Sequence, residues 1–269
     1  AYDSEFLSAA ANVMTGAKSK TPIYEKAWHN ILFNHFHDIL PGSGIIFTRE
    51  FALGKFQESL AAINTNANTA MRNIADAIDT SYIKFDDDVN ARSQGGGVGF
   101  MDGGKGYRFP QTERGRGSVR ALHLFNSTMY DRHEAVEVIV WDYNYDLGRA
   151  YFTDSEGNEV RCEVCEAGNG YWGHTFTRFI IDAKVPALGY ATYILRLRGY
   201  DSVGNFTNAY VPSGDRQDHI SDNAPVLENS KLRAEFDPHT LLITSLIDKE
   251  TGKVIADREH PTAIFRFIT

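Results

Sequence analysis

"LGKFQESLAAINTNANTAMRNIADA", residues 53–77, carries the strongest periodicity in the chain. Leu53, Phe56, Leu60, Ile63, Ala67, Ala70, Ile74 and Ala77 step by 3, 4, 3, 4, 3, 4, 3, the heptad rhythm that an α-helix gathers into one stripe. A strand would need alternation instead, so the spacing predicts a long helix with an apolar seam. Upstream, Phe6, Leu7, Ala10, Val13 and Met14 share one face of a first helix that "GAKSKTP" closes. Thr21 as N-cap and Pro22 in the first turn open a second helix, with Tyr24, Trp28, Ile31, Leu32 and Phe36 on one side. Three amphipathic helices joined by short loops bury their stripes most simply against each other. Residues 1–85 therefore read as a helical bundle.

Downstream the texture changes. Residues 86–118 are glycine-rich and aperiodic, a linker or an ordered loop. From 119 to 269, "VRALHLFN", "EAVEVIVW", "HTFTRFIIDAKV", "YATYILRL", "KLRAEFD" and "LLITSLID" read as strands. The turns "DSEGNE", "PALGY" and "DKETGK" separate them, with the Gly, Asp, Asn and Pro that tight reversals require. Short strands at this spacing predict an antiparallel β-sandwich, and the absence of a βαβ rhythm argues against a parallel sheet. The fold class is thus α+β and multidomain: a three-helix bundle, then a sandwich left incomplete at the C-terminus.

Composition narrows the partners. The chain has 269 residues, a formal charge of -8 and 42% hydrophobic residues, enough for a sizeable core. No dense Lys/Arg cluster offers a basic face to nucleic acid or to an anionic membrane. No apolar run approaches the roughly 20 residues that span a bilayer, and no leader pattern opens the chain. It begins as if inside a helix and stops as if inside a strand, so it reads as a piece of a longer protein. Two cysteines in all incline the reading toward a reducing, cytoplasmic compartment.

Most short motifs have bland explanations. "GFMDGGK", residues 99–105, formally fits a phosphate loop, but Gly106 stands where Ser or Thr would hold magnesium, and no strand and helix flank it. Cys162 and Cys165 form a C-x-x-C in a strand-like context without further ligands, which makes them structural. Asn126 and Asn205 begin glycosylation-type triplets that arise often by chance. Asp86, Asp87 and Asp88 are contiguous, so their side chains diverge: a solvated charge run rather than a catalytic dyad. Trp141, Tyr143, Tyr145, Tyr171 and Trp172 would suit sugar stacking, although aromatic rings in strands usually serve the core.

"NHFHDILPGSG", residues 34–44, is different. On a helix ending near Phe36, His35 falls on the apolar side, while His37 and Asp38 leave the helix at a Pro-Gly corner. A His at such a corner is ordinarily structural, because a metal needs several converging ligands. Adjacent His and Asp can nonetheless point an imidazole and a carboxylate into one cleft.

The longer stretch "AWHNILFNHFHDILPGSGI" resembles the helix-to-loop segment of glycoside hydrolase family 38, the α-mannosidases, through Trp28, Asn34, His37, Asp38, Gly42 and Ser43. "ERGRGSVRALHLFN", "RHEAVEV", "VPALGYATYIL" and "LENSKLRAEFDPHTLLITSLIDKETGK" are similar, in order, to the strands opening that family's C-terminal sandwich. The resemblance implies a zinc-dependent, retaining α-mannosidase acting on mannose-containing oligosaccharides. It implies His37 as one zinc ligand of four and Asp38 as a contact to sugar hydroxyls; His35 is assigned no role. The other ligands and the nucleophilic Asp would come from an upstream catalytic α/β domain of the same polypeptide, so no catalytic residue is expected here. The expectation is a parent enzyme whose piece, alone, neither turns over mannosides nor keeps zinc. The alternative is a non-catalytic carbohydrate-binding or scaffolding module.

Overall fold

A computed structural model of the chain describes residues 1–86, 117–171, 174–201, 204, 225–240 and 242–262, with the side chains of 168–171 and 174 left aside. The chain divides into two compact units, residues 1–212 and 213–269.

The first unit opens with three helices, as the periodicity requires: α1 (Tyr2–Thr15), α2 (Thr21–Asn34) and α3 (Ile46–Ala77). Helices α1 and α2 each pack along α3. Gly16 adopts φ 71 and ends α1, its N–H returning to the carbonyl of Asn12, a left-handed cap that a Cβ would strain. Thr21 is the first helical residue of α2 and not its cap. The capping position falls to Lys20, while the Thr21 hydroxyl sits 2.7 Å from Ser19 Oγ.

The seam of α3 is real over its C-terminal half, where Ile63, Ala70 and Ile74 are buried. Leu7 and Ala11 of α1 close on Ala70 and Ile74. Toward the N-terminus the buried row runs instead through Ser59 and Ala52, and Leu53 and Phe56 are exposed. A straight helix drifts about 20° per heptad, so one strict stripe cannot face the same neighbour for 32 residues. Small residues then win the contact with α2, which lies close enough for Ser59 Oγ to donate to the Ala27 carbonyl at 3.5 Å.

The sandwich follows. β1 (Arg120–Asn126), β2 (Arg132–Trp141), β3 (Ala150–Thr153), β4 (Glu159–Val160), β5 (Cys162–Tyr171), β6 (His174–Val185) and β7 (Gly189–Leu197) form two antiparallel sheets. Their strand orders are β1-β7-β3-β4 and β2-β6-β5. Between them lies the main core, built from Val138, Val140, Phe152, Phe179, Ile181 and Leu195. The turns fall where the sequence places them. "DSEGNE" links β3 to β4 with Gly157 at φ 90, and "PALGY" links β6 to β7 with Leu188 at φ 50. Within this unit Phe125 of β1 joins the bundle's apolar cluster, and Ser127 Oγ donates to Asp3 at 2.5 Å.

The second unit is one antiparallel sheet of β8 (Val226–Glu228), β9 (Leu232–Phe236), β10 (Ile243–Asp248) and β11 (Val254–Ala256) in the order β11-β10-β9-β8. "DKETGK" forms its β10–β11 turn, with Gly252 at φ 70. Among the described residues no helix is long and apolar enough to cross a membrane.

Candidate functional site

The corner after α2 is built from its own backbone. His35 caps the helix, its N–H reaching the carbonyls of Leu32 and Phe33. The chain then tightens: Ile39 and Leu40 donate to the Phe36 carbonyl, and Gly42, at φ 79, donates to Ile39. The Asp38 carbonyl receives the Gly44 N–H at 3.1 Å and the Ser43 hydroxyl at 3.4 Å. The Pro41-Gly42 pair supplies a fixed φ followed by a left-handed one, and so reverses the chain before α3.

The side chains of His37 and Asp38 project from this corner, 76% and 61% exposed, with His37 Nε2 at 3.4 Å from Asp38 Oδ2. The Phe36 ring packs beside the imidazole with centroids 4.2 Å apart. The corner, Asn34 and the first turns of α3 line a cavity of about 240 Å³, largely apolar, that includes Asp38, Leu53 and Phe56. Leu32, Phe36, Leu40, Ile46, Phe47 and Phe51 are all exposed along the end of α2, the corner and the first turns of α3. Exposed apolar side chains this close together in sequence are poorly solvated by water.

No group of three or more metal-ligating side chains converges among the described residues. His37 and Asp38 present one imidazole and one carboxylate, half or less of a zinc coordination shell, so the described donor set does not hold zinc by itself. His35 is exposed rather than set into the apolar side of α2, because the helix ends at Asn34 and the next residues already turn.

Other sequence features resolve structurally. Trp141 and Tyr143 are enclosed, 2% and 4% exposed, and offer no face to a sugar; Tyr145 packs at 5.0 Å on Tyr143. The side chains of Tyr171 and Trp172 lie outside the described residues, as do the 99–105 motif, Asn205, Asp87 and Asp88. Asp86 is an anchor: its carboxylate accepts from the N–H groups of Ser118 and Val119 at 2.7 and 3.1 Å. Burial opposes its ionisation, yet those N–H groups prevail and hold the carboxyl below its usual range. Asn126 is likewise a buried structural residue. Burial pushes the Cys162 thiol up to about 11 and also raises Cys165, so neither is an activated thiol.

One cluster escaped the sequence reading. On the sheet face turned away from the core, Tyr151, Thr153, Glu159, Arg196 and Arg198 line a polar cavity of about 780 Å³. The signal available was the alternation in "LRLR", residues 195–198, which sends two guanidinium groups to the same face.

Comparison with protein-family models finds no match, and comparison with curated protein sequences finds none either. Among solved structures, the fold is similar to an α-mannosidase from Enterococcus faecalis V583, with a TM-score of 0.56 at 16% identity. The likeness covers 93% of this chain and 26% of that one, so the chain spans about a quarter of that enzyme's length. At this identity the relationship is one of architecture: a distant structural kinship to an α-mannosidase fold.

Proposed function

We propose that this chain serves as a non-catalytic scaffolding module of a carbohydrate-processing enzyme, presenting His37 and Asp38 to a separate domain. The observation that carries the reading is the apolar surface around the corner. Phe36 packs beside the His37 imidazole, Leu40 borders the cavity that Asp38 lines, and Phe47 and Phe51 stand exposed on the first turns of α3. Desolvating such a surface favours association at roughly 25 cal/mol per Å² of apolar area, before the cost of immobilising the partners. A partner seated there would bring its own polar groups within reach of the imidazole and the carboxylate.

The finer version of this reading makes the parent a zinc-dependent α-mannosidase. His37 would then supply one zinc ligand and Asp38 a contact to mannose hydroxyls, with the remaining ligands and the nucleophile from an upstream α/β domain. The similarity of fold to an α-mannosidase and the pairing of His37 with Asp38 at an open corner support it. Zinc there would polarise sugar hydroxyls; the part of His37 would be to donate one nitrogen lone pair.

The test compares this chain with a full-length polypeptide containing it. The chain alone should show no turnover of an aryl α-mannoside and less than stoichiometric zinc. In the full-length protein His37→Ala should lower bound zinc. Turnover together with stoichiometric zinc in the chain alone would overturn the scaffolding reading. Unchanged zinc in the His37→Ala protein would remove the ligand assignment while leaving the scaffold intact.

A further inference from the structure

The outward face of the β1-β7-β3-β4 sheet carries two arginines, Arg196 of β7 and Arg198 directly after its end. Tyr151 sits opposite Arg196 in the β3–β7 register, and Thr153 is paired with Glu159 in the β3–β4 register, so all four share one face. The Arg198 guanidinium folds over the Tyr151 ring, 4.1 Å from its centroid, and forms an ion pair with Glu159. Both partners are largely enclosed, at 14% and 10% exposure, so the Glu159 charge is already matched.

Arg196 is in a different position. Its Nε donates to Thr153 Oγ1 at 3.3 Å, a neutral acceptor, and among the described residues no carboxylate pairs with it. A guanidinium has five N–H donors in a rigid fork. The bond to Thr153 uses one of them and orients the plane, while the side chain borders the polar cavity together with Asn158 and Gly157 of the β3–β4 turn. A half-buried cation held in one orientation beside an open cavity has the chemistry of an oxyanion receptor.

We propose that this cavity binds a ligand through an oxyanion group, a carboxylate or a phosphate, gripped by the outer N–H groups of Arg196. Arg198, stacked on Tyr151 and tied to Glu159, holds the wall of the site. The Asn158 amide is already given to the Asp154 and Glu156 carboxylates, at 3.0 and 3.3 Å, so the grip rests on Arg196. The site lies on the sandwich, apart from the His37 corner, and does not depend on the reading of that corner.

The experiment titrates the chain with inorganic phosphate, with glucuronate and with neutral glucose, followed by calorimetry and by the arginine Nε–H resonances. At least one anion should bind with a dissociation constant of about 1 mM, and glucose should not. Arg196→Gln should weaken that binding by about tenfold or more, and Arg161→Gln, at an exposed arginine paired with Glu163, by less than about twofold. Binding of phosphate alone would identify a phosphate ester as the ligand class, and of glucuronate alone an acidic sugar. The proposal fails if neither anion binds below about 10 mM. Equal losses in the two variants, or no loss in Arg196→Gln, would also overturn it. Should Arg196→Gln not fold, the wild-type Arg196 Nε–H resonance decides: a saturable shift supports the site, and an unmoved resonance overturns it.

Discussion

The side-chain amide of Asn126 donates to the carbonyl of Val185 at 3.2 Å, fastening the end of β1 to the end of β6 in the facing sheet. The same nitrogen lies 2.9 Å from the Tyr130 carbonyl and 3.0 Å from that of Pro186. Its oxygen accepts from the N–H and the hydroxyl of Thr128. Asn126→Ala leaves buried carbonyls without donors, and each such loss costs about 1–3 kcal/mol. The expected destabilisation is about 3 kcal/mol, read as a lower denaturant midpoint at unchanged slope. The enclosed amide also predicts that the N-S-T triplet stays unmodified in a glycosylating host, which intact mass would check.

Inside the bundle, the Tyr24 hydroxyl donates to the Ser4 carbonyl at 2.9 Å, and Ser4 Oγ donates to the Ile63 carbonyl at 2.8 Å. These two bonds tie all three helices at one buried point. Tyr24→Phe keeps the ring and removes the donor, so it should cost about 1–2 kcal/mol. Ser4→Ala should cost a similar amount. The double variant should fall short of the sum, because the two hydroxyls are only 2.8 Å apart and share one network.

Asp86 predicts a pH dependence. Its carboxyl titrates below its unfolded value, since the Ser118 and Val119 N–H groups favour the charged form. A depressed carboxyl contributes stability that is complete above the unfolded value and is lost as pH falls through the folded one. Stability should therefore drop on acidification below the ordinary carboxylate range, and Asp86→Asn should make that decline shallower. Gly117 is coupled to this anchor: at φ 76, a Cβ there would fall 2.2 Å from Asp86 Oδ1, so Gly117→Ala should weaken it directly. A wild-type acid profile in Asp86→Asn would show that the anchor contributes nothing.

These anchors also show what the sequence made legible. The helices, the β6 span at 174–185 and the three turns follow from periodicity and turn chemistry, which are local. The shift of the α3 seam from Leu53 and Phe56 to Ala52 and Ser59 depends on how closely α2 approaches, and that distance is a property of the pair. The short strands β4, β8 and β11 are two or three residues long and carry no measurable alternation. At the corner, the adjacency of His37 and Asp38 was visible in the sequence. The exposure of His35 was not, because a helical pattern running to Phe36 hides that the backbone leaves the helix at Asn34.

The apolar shelf gives a prediction that separates interface from core. Phe47 and Phe51 are exposed, at 73% and 57%, so replacing both with Ser removes little buried area. Phe51 does meet Phe33 edge-on at 5.7 Å, a contact worth about 1 kcal/mol. The double variant should lose no more than about 1 kcal/mol of stability while binding less of a hydrophobic dye and self-associating less on sedimentation. A large loss of stability would mean that these rings belong to the bundle's core and not to a docking surface.

The two cysteines offer a check on the sandwich itself. Cys162 belongs to the main core, opposite Ile181 in the β5–β6 register, and Cys165 is exposed where that register shifts between Val164 and Glu166. Burial raises Cys162 to about 11, leaving almost no thiolate near neutral pH, while Cys165 is raised less by its smaller burial and by nearby Glu163 and Glu137. Reaction follows the thiolate and its access. A thiol reagent at mildly alkaline pH should label one cysteine in the folded chain, slowly, and both after denaturation. Cys165→Ser should abolish the native labelling and Cys162→Ser should not. Two thiols reacting at equal rates in the folded state would contradict the enclosure of β5 against Phe152 and Ile181, and with it the packing of the two sheets.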